Sequence, residues 1–213
     1  MRNDVSKDLR QRHLRITDPS PWVERFAPLV RQGGSILDVA AGGGRHTRFF
    51  LGRGHPVTAV DRDGEPLAAL ADELEATVFT VDLEDGTPFI GPGGPLAGQR
   101  FAGVVVVNYL HRALFADLID TLQPGGVLIY ETFARGNEEF ARPRNPDHLL
   151  KSGELLDAVA GKLQVVAYEH GRVEQTDIPG VKQRICAVKD LGASTREDGE
   201  PPAHPLIPAS SSR

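Results

Sequence analysis

The chain has 213 residues, a length that fits one domain and is too short for two catalytic domains. With 40% hydrophobic and 25% charged residues it has the composition of a globular protein, and its net charge of −5 argues against a general nucleic-acid binder. Cys186 is the only cysteine, which excludes an intramolecular disulfide. No apolar run approaches the ~18 residues of a membrane span, and no signal-like stretch opens the chain, so we predict a cytoplasmic protein.

Residues 1–20 are predicted to form a polar N-terminal segment, either flexible or ordered. A helix is expected to begin at Pro21 and to end before Gly33 and Gly34, because proline suits a first helical position and glycine ends helices. Short apolar runs rich in β-branched residues then recur along the chain. They predict parallel strands covered on both faces, at Ser35–Val39, Pro56–Val60, Thr77–Val81, Phe101–Val107 and Val127–Thr132.

Helix-like stretches alternate with these strands at 45–52, 65–75 and 112–122. The exception is 82–100, where repeated glycine and proline residues predict a loop. The alternation indicates an α/β fold, a Rossmann-like doubly wound sheet of about seven strands with helices on both faces. Its last strand should be antiparallel, because the strands expected at Leu163–Glu169 and Lys182–Val188 are too close in sequence for a helical crossover. We therefore predict one domain at 21–190 and a disordered tail at 191–213.

The glycine-rich stretch after the first strand is the most informative motif. It runs from Asp38 through Gly42 and Gly44 to the start of a helix, where glycines allow a ligand to approach the backbone and unpaired amides are available. A dinucleotide fingerprint would need a third small residue where the chain has Thr47. A carboxylate at position 38 suits a cation or an ammonium group better than a pyrophosphate.

The pattern Asp-x-Ala-x-Gly-x-Gly resembles the first motif of class I S-adenosylmethionine-dependent methyltransferases, and further motifs follow in order up to about residue 188. The resemblance implies that Asp61 binds the ribose hydroxyls, that Asp82 and Leu83 meet the adenine, and that Asn108 and Tyr109 lie beside the methionine part. Segments 131–138 and 142–146 are similar to the small bacterial branch labelled tellurite-resistance-like. The expected residues for S-adenosyl-L-methionine are Asp38, Ala40, Gly42, Gly44, His46, Asp61, Arg62, Asp82, Leu83, Asn108 and Tyr109.

The positions of three acidic residues can also be predicted without the family resemblance. Asp38, Asp61 and Asp82 follow strand ends at the carboxyl edge of the predicted sheet, where open α/β sheets bind ligands. S-adenosylmethionine carries an ammonium group, two hydroxyls and an exocyclic amine, each of which needs an acceptor. Methyl transfer is an in-line displacement at an activated carbon, so positioning and water exclusion can supply much of the catalysis, and no metal is expected.

Two residues are candidates for acid-base chemistry. His111 could take a proton from the acceptor, or it could cap a helix. Glu131 could face the acceptor, or it could act as a cap or form a salt bridge with Arg112 or Arg142. Three polar residues, Arg112, Arg142 and Asn145, could bind the substrate, the last two from a long segment that could equally be a solvated loop.

The sequence therefore predicts methyl transfer from S-adenosylmethionine to a small-molecule acceptor, and a monomer would suffice for it. A catalytically silent cofactor-binding protein is a second hypothesis. A nicotinamide-dependent oxidoreductase is a third, weakened by Thr47 and by the absence of a Tyr-x-x-x-Lys dyad. The sequence leaves the acceptor open.

Overall fold

The computed structural model describes residues 16–74, 76–174 and 178–208. Four segments of 3-10 helix lie between the regular elements, at Ala27–Leu29, Arg112–Leu114, Asn137–Glu139 and Pro146–His148. The helices are α1 (Pro21–Phe26), α2 (Arg45–Leu51), α3 (Gly64–Leu74), α4 (Phe115–Asp120) and α5 (Glu154–Val159). The strands are β1 (Ile36–Val39), β2 (Val57–Asp61), β3 (Thr77–Thr80), β4 (Phe101–Val107), β5 (Leu122–Phe133), β6 (Gln164–Val173) and β7 (Gly180–Val188).

The strands form one seven-stranded sheet in the order β3-β2-β1-β4-β5-β7-β6. Strands β1 to β5 are parallel, and β7 runs antiparallel between β5 and β6. The order reverses direction at β1, so β1 and β4 form the topological switch point at which open sheets bind ligands. The predicted α/β class, the strand number and the antiparallel end of the sheet are confirmed.

Helices cover both faces of the sheet, because successive strand residues point to opposite sides. On one face, Leu118 of α4 and Leu155 of α5 pack in a cluster with Val104 and Leu128. On the other, the aromatic side of α1 and Phe50 of α2 pack against neighbouring strand positions. The buried residues of α1 and α2 in that second cluster are Trp22, Val23, Phe26 and Phe50.

The helices are shorter than their patterns predict. The first regular helix ends at Phe26, and a 3-10 turn containing Pro28 follows it. Strand β5 begins earlier than expected, at Leu122, because Phe101 pairs with Leu122 across an irregularity before Gly103 pairs with Val127. Gly126 permits that irregularity, since a Cβ there would lie 3.0 Å from the carbonyl oxygen of Phe101.

The glycine- and proline-rich segment 82–100 contains no helix or strand, as predicted. It is nevertheless anchored, because Phe89, Ile90 and Leu96 are buried in the same cluster as α4. This crossover therefore covers the sheet with loop side chains in place of a helix, and it holds residues 82–84 at the sheet edge.

Both predicted boundaries lie near packed residues. Ser20 is buried beside the domain, whereas residues 1–15 lie outside the described part of the chain. Residues 191–208 have no helix or strand, yet Ile207 packs on the α1 face and His204 lies 2.6 Å from Asp190. The division into an N-terminal segment at 1–20, a domain at 21–190 and a disordered tail at 191–213 stays a prediction. No helix in the described ranges is both long and apolar enough to cross a membrane.

Candidate functional site

A cavity of about 650 Å³ opens at the carboxyl ends of the parallel strands. Each of the five parallel strands contributes to its wall, in the spatial order of the sheet. Neighbouring strands lie ~4.8 Å apart, so the wall from β3 to β4 spans ~14 Å and β5 extends it further. The lining residues are Ala40–Gly43, Arg45, His46, Asp61–Asp63, Val81–Glu84, Val107–Leu110, Thr132, Phe133, Pro143, His148 and Ile178.

The turn after β1 forms the centre of this wall. Ala40, Gly42 and Gly44 alternate in the left-handed region, with φ of 55°, 57° and 74°. Ala40 has a Cβ, so this conformation costs it ~1 kcal/mol and must be held by its surroundings. The amide of Ala41 donates to the carbonyl of Val60, and the amide of Gly42 donates to Asp61. The predicted glycine-rich turn is therefore fixed against β2.

Asp61 ends β2 and fixes two backbone amides. Its Oδ2 accepts from the Gly42 amide at 2.8 Å, and its Oδ1 accepts from the Asp63 amide at 2.9 Å. An ionised carboxylate offers about four lone-pair positions, so two remain for a ligand. Asp82 is similar, because its Oδ1 accepts from the Glu84 amide at 3.0 Å while the residue lines the cavity.

Asp38 takes a different position from the one expected. It is 1% exposed, is not part of the cavity wall, and its Oδ2 accepts a hydrogen bond from the Thr47 hydroxyl at 2.6 Å. Burial raises the pKa of its carboxyl to about 7, although the bond from Thr47 opposes this shift. Asp38 therefore joins the end of β1 to α2 from within the protein. Gly44 is likewise off the wall, because it caps the start of α2.

His46 has a defined proton position. Its Nε2 lies 3.1 Å from the amide of Ser20, and a backbone amide can only donate. The proton of the neutral ring therefore sits on Nδ1. Burial lowers the pKa of His46 well below its usual value, and the charges of Arg45 and Lys182 lower it further. His46 thus lines the cavity as a neutral donor.

Asn108 ends β4 with a φ of 59°, and its side chain is oriented by Lys182. The Lys182 ammonium donates to Asn108 Oδ1 at 3.1 Å and to Glu131 Oε1 at 2.9 Å. Because an ammonium has no lone pair, it must face the oxygen of the amide and not the nitrogen. The Nδ2 hydrogens of Asn108 are thereby directed elsewhere, on a residue that lines the cavity. The sequence motifs did not single out Lys182, whose partners are 51 and 74 positions away.

Nine of the predicted residues meet at this cavity, and the rest do not. Those on the wall are Ala40, Gly42, His46, Asp61, Arg62, Asp82, Leu83, Asn108 and Tyr109. Those off the wall are Asp38, Gly44, His111, Glu131, Arg112, Arg142 and Asn145.

The two acid-base candidates are both off the wall, for different reasons. Glu131 is 3% exposed and is bonded by Lys182, by the Ser20 hydroxyl at 3.3 Å and by Arg184 at 3.5 Å. Glu131 therefore pairs with cations, as the second hypothesis for it expected. These cations are Lys182 and Arg184, and not Arg112 or Arg142. His111 caps the 3-10 turn that precedes α4, and its carbonyl accepts from the amide of Leu114.

The predicted substrate-binding residues do not line the cavity, and two of them are held by other parts of the chain. Arg112 pairs with Glu154 and donates to two backbone carbonyls, so its guanidinium is engaged. Asn145 caps the 3-10 helix Pro146–His148 through its Oδ1. Arg142 is exposed and precedes Pro143, which does line the cavity, through a cis peptide bond.

Comparisons with known proteins identify the fold. No protein-family model matches the sequence. A malonyl-[acyl-carrier protein] O-methyltransferase of Pectobacterium atrosepticum is 24% identical over 197 residues, covering 84% of this chain and 77% of that protein. The structure of the Burkholderia thailandensis 1,6-didemethyltoxoflavin-N1-methyltransferase, solved with S-adenosylhomocysteine, matches with a TM-score of 0.55 and 21% identity, covering 81% and 80% of the two chains. TehB of Haemophilus influenzae matches with a TM-score of 0.62 and 15% identity, covering 80% and 62%.

The chain has the class I S-adenosylmethionine-dependent methyltransferase fold. The resemblance drawn from the motifs is confirmed, and the matched structures include TehB as the tellurite-resistance-like likeness implies. Within this fold the glycine-rich turn follows β1 at the switch point of the sheet. The cavity of the chain thus lies where the fold predicts it, and the wall residues of β1 to β5 can be considered as parts of one ligand site.

Proposed function

We propose that this protein transfers the methyl group of S-adenosylmethionine to a small-molecule acceptor bound in the cavity at the strand ends. The observation that carries the proposal is the state of Asp61. Its carboxylate holds the glycine-rich turn and still has two lone-pair positions open at the cavity. Those positions suit the paired hydroxyls of a ribose.

The neighbouring wall residues fit the rest of the cofactor. No hydrogen bond from the described part of the chain reaches Oδ2 of Asp82, which suits an exocyclic amine, and Val81 and Leu83 supply apolar surface for an adenine ring. At the other end, His46 and Asn108 present N–H donors, which suit a carboxylate. The cavity volume of about 650 Å³ lies within the ~300–1,000 Å³ of small-molecule sites.

The residues of the chain act by orientation and by water exclusion. When bound, the cofactor supplies a methyl carbon that is already activated by a positively charged sulfur. Asp61, Asp82 and the turn after β1 hold the two ends of the ligand in one geometry, and such positioning accounts for several kcal/mol of an enzymatic barrier, ~7–11 kcal/mol in the best cases. Buried walls such as Phe133 and Leu110 keep water from the reacting atoms.

The acceptor belongs to the small-molecule class, as supported by the size of the cavity and by the toxoflavin precursor named for one structural neighbour. The names of the relatives give different acceptors, so neither identifies that of this chain. The hypothesis of a silent cofactor-binding protein needs a closed acceptor pocket. Against it, the cavity continues beyond β4 to Thr132, Phe133 and His148.

Ligand binding tests the proposal directly. We expect S-adenosylhomocysteine to raise the melting temperature of the full chain and to bind in calorimetry, and we expect NAD to do neither. Asp61→Asn should weaken S-adenosylhomocysteine by ~10- to 100-fold, because a charge-assisted hydrogen bond is worth ~1.5–3 kcal/mol. Asp85→Asn is the matched control, since Asp85 also accepts a backbone amide but lies off the cavity wall. Stabilisation by NAD alone would contradict the proposal.

A further inference from the structure

The acceptor end of the cavity contains one imidazole that the sequence patterns did not single out. His148 lines the cavity together with Thr132, Phe133, Pro143 and Ile178. It ends the 3-10 helix Pro146–His148, and two residues later the amide of Leu150 donates to the carbonyl of Phe133 at 2.9 Å. This bond fixes the His148 turn beside the last residue of β5.

Arg112 holds the backbone on both sides of His148. Its Nη1 donates to the Asp147 carbonyl at 2.6 Å, and its Nη2 donates to the Leu149 carbonyl at 2.9 Å. The same guanidinium pairs with both carboxylate oxygens of Glu154, at 2.5 and 3.0 Å. The hydrogen bond to Glu154 raises the pKa of Arg112. The planar fork of an arginine is needed for this, because a lysine could not satisfy four acceptors in fixed directions.

The turn is also restrained from within. Asn145 Oδ1 accepts from the amide of Asp147 at 3.1 Å, the amide of His148 donates to the Asn145 carbonyl at 3.0 Å, and Leu149 is fully buried. His148 itself is exposed. The backbone that carries the His148 side chain is thus fixed at both flanking residues, which limits the positions that its imidazole can take at the cavity.

The other ionisable groups of the wall are less suited to take a proton there. Burial raises the pKa of Tyr109, and the charge of Glu84 adds to this, so its hydroxyl stays protonated. His46 has its Nε2 occupied by Ser20. The carboxylates of the wall end or follow β2 and β3, which lie two and three strands away from β4 in the sheet order; they are those of Asp61, Asp63, Asp82 and Glu84.

We infer that His148 accepts the proton of the methyl acceptor and that Arg112 is the residue that positions it. The inference rests on the proposed function. The acceptor atom uses a lone pair to bond the methyl carbon, the carbon–sulfur bond breaks with its electron pair passing to sulfur, and the acceptor proton passes to the imidazole. One positive charge leaves the sulfur and one appears on His148, which returns its proton to solvent.

The same wall defines the class of acceptor. Among the described residues, the part of the wall contributed from β5 onward is apolar apart from Thr132 and His148, and the cavity-lining cations Arg45 and Arg62 lie on the β1 and β2 side. Arg112, which the sequence suggested as a substrate-binding residue, is engaged by Glu154. The acceptor is therefore an uncharged, largely apolar molecule whose nucleophilic atom carries a hydrogen.

The test compares S-adenosylmethionine with S-adenosylhomocysteine, which differ by the methyl group and by one positive charge on sulfur. The imidazole pKa of His148 is measured by nitrogen NMR in the full chain with each probe at saturation, and its signals are assigned by their loss in His148→Gln. Nearby charges on the neighbouring elements are Arg112, Asp147 and Glu154, which are the same in both complexes. We expect the His148 pKa to be lower with S-adenosylmethionine by about one unit, because a like charge nearby disfavours the protonated ring.

His111 is the control imidazole, since it lies off the cavity wall, and its pKa should be equal in the two complexes. Arg112→Lys should leave S-adenosylhomocysteine affinity within about twofold and should at least halve the difference at His148, because the lysine cannot hold both carbonyls. An equal His148 pKa in the two complexes would overturn the inference and leave the proposed function intact. If Arg112→Lys kept the full difference in His148 pKa between the two complexes, the positioning role of Arg112 would be overturned. Failure of both probes to bind would overturn the proposed function and the inference with it.

Discussion

The ammonium of Lys182 lies 2.9 Å from a carboxylate oxygen of Glu131, and both side chains are only 4% exposed. The two residues sit on neighbouring antiparallel strands, β7 and β5, where Glu131 pairs with Arg184 and Lys182 pairs with Phe133, so they lie two register positions apart on the same face of the sheet. Burial lowers the pKa of Lys182, and the charge of Glu131 opposes this shift. The pair joins Asn108 on the cavity wall to Ser20 at the start of α1.

Lys182→Met should destabilise the protein strongly, because among the described residues it leaves the buried Glu131 with one cation, Arg184 at 3.5 Å, and the hydroxyl of Ser20 at 3.3 Å. Breaking a buried pair costs ~3–5 kcal/mol, and we expect a loss toward the lower end of that range in urea unfolding. Glu131→Gln/Lys182→Met should recover part of it. Lys162→Met, at an exposed lysine, should change the stability by less than ~0.5 kcal/mol. Equal effects at positions 162 and 182 would contradict the buried-pair interpretation.

A matched pair of variants separates the two contacts of Ser20, one made by its hydroxyl to Glu131 and one made by its backbone amide to His46. Ser20→Ala removes the hydroxyl that caps α1 and bonds Glu131, which should cost ~1 kcal/mol. Ser20→Pro removes the backbone N–H as well, and the native φ of −60° suits proline. We expect only Ser20→Pro to free Nε2 of His46, so that nitrogen NMR reports a mixed tautomer. The same tautomer in both variants would show that the Ser20 amide does not fix the ring.

Asp38 should make the stability depend on pH. Because burial raises its folded pKa to about 7, the folded state binds a proton that the unfolded state has lost above its ordinary value of 3.8. The contribution of Asp38 to stability is therefore complete below pH ~4 and is lost as pH rises through 7. Asp38→Asn should flatten the decline in melting temperature between these values. Asp120→Asn is the control on an exposed carboxylate, and an unchanged profile in Asp38→Asn would refute the assignment.

Gly103 lies in the central strand β4, where an added Cβ would be 2.7 Å from Cδ1 of the fully buried Ile36. Gly103→Ala should therefore overpack the core and cost ~1–3 kcal/mol in chemical denaturation. Gly171→Ala is the control, since nothing lies within 4 Å of a Cβ on that exposed strand position. A near-neutral result for Gly103→Ala would mean that Ile36 has another rotamer available.

The sheet, and the part of the candidate site that contains Asp61 and Asp82, could be predicted from local patterns in the sequence. Asp61 and Asp82 could be placed because a polar residue that ends a parallel strand must face the ligand edge. Lys182 and His148 could not, because their roles depend on contacts with Glu131 and Arg112 across 51 and about 36 positions. A signal for Lys182 did exist. It stands with Gln183 and Arg184 in the middle of a strand that is otherwise buried, and such positions need partners.

Arg112 illustrates why residue type alone misleads. A cation after the fourth strand fits an anionic acceptor as well as it fits a backbone clamp, and only the positions of Asp147, Leu149 and Glu154 decide between them. The loop at 142–146 shows the same thing. Arg142 and Asn145 carry polar groups that suggest substrate binding, whereas Pro143, which has no such group, is the residue that lies on the cavity wall.

The place of β7 between β5 and β6 determines the order in which the site can be assembled. On a ribosome, β6 emerges before the strand that must separate it from β5, so the sheet cannot close in chain order. Domains generally fold as units during synthesis. Lys182, which orients the Asn108 amide, is among the later residues to appear, so a nascent chain that has already formed β1 to β5 still lacks the contact that orients this amide on the cavity wall. The side chain of Asn108 is thus set only after the last strand has been inserted.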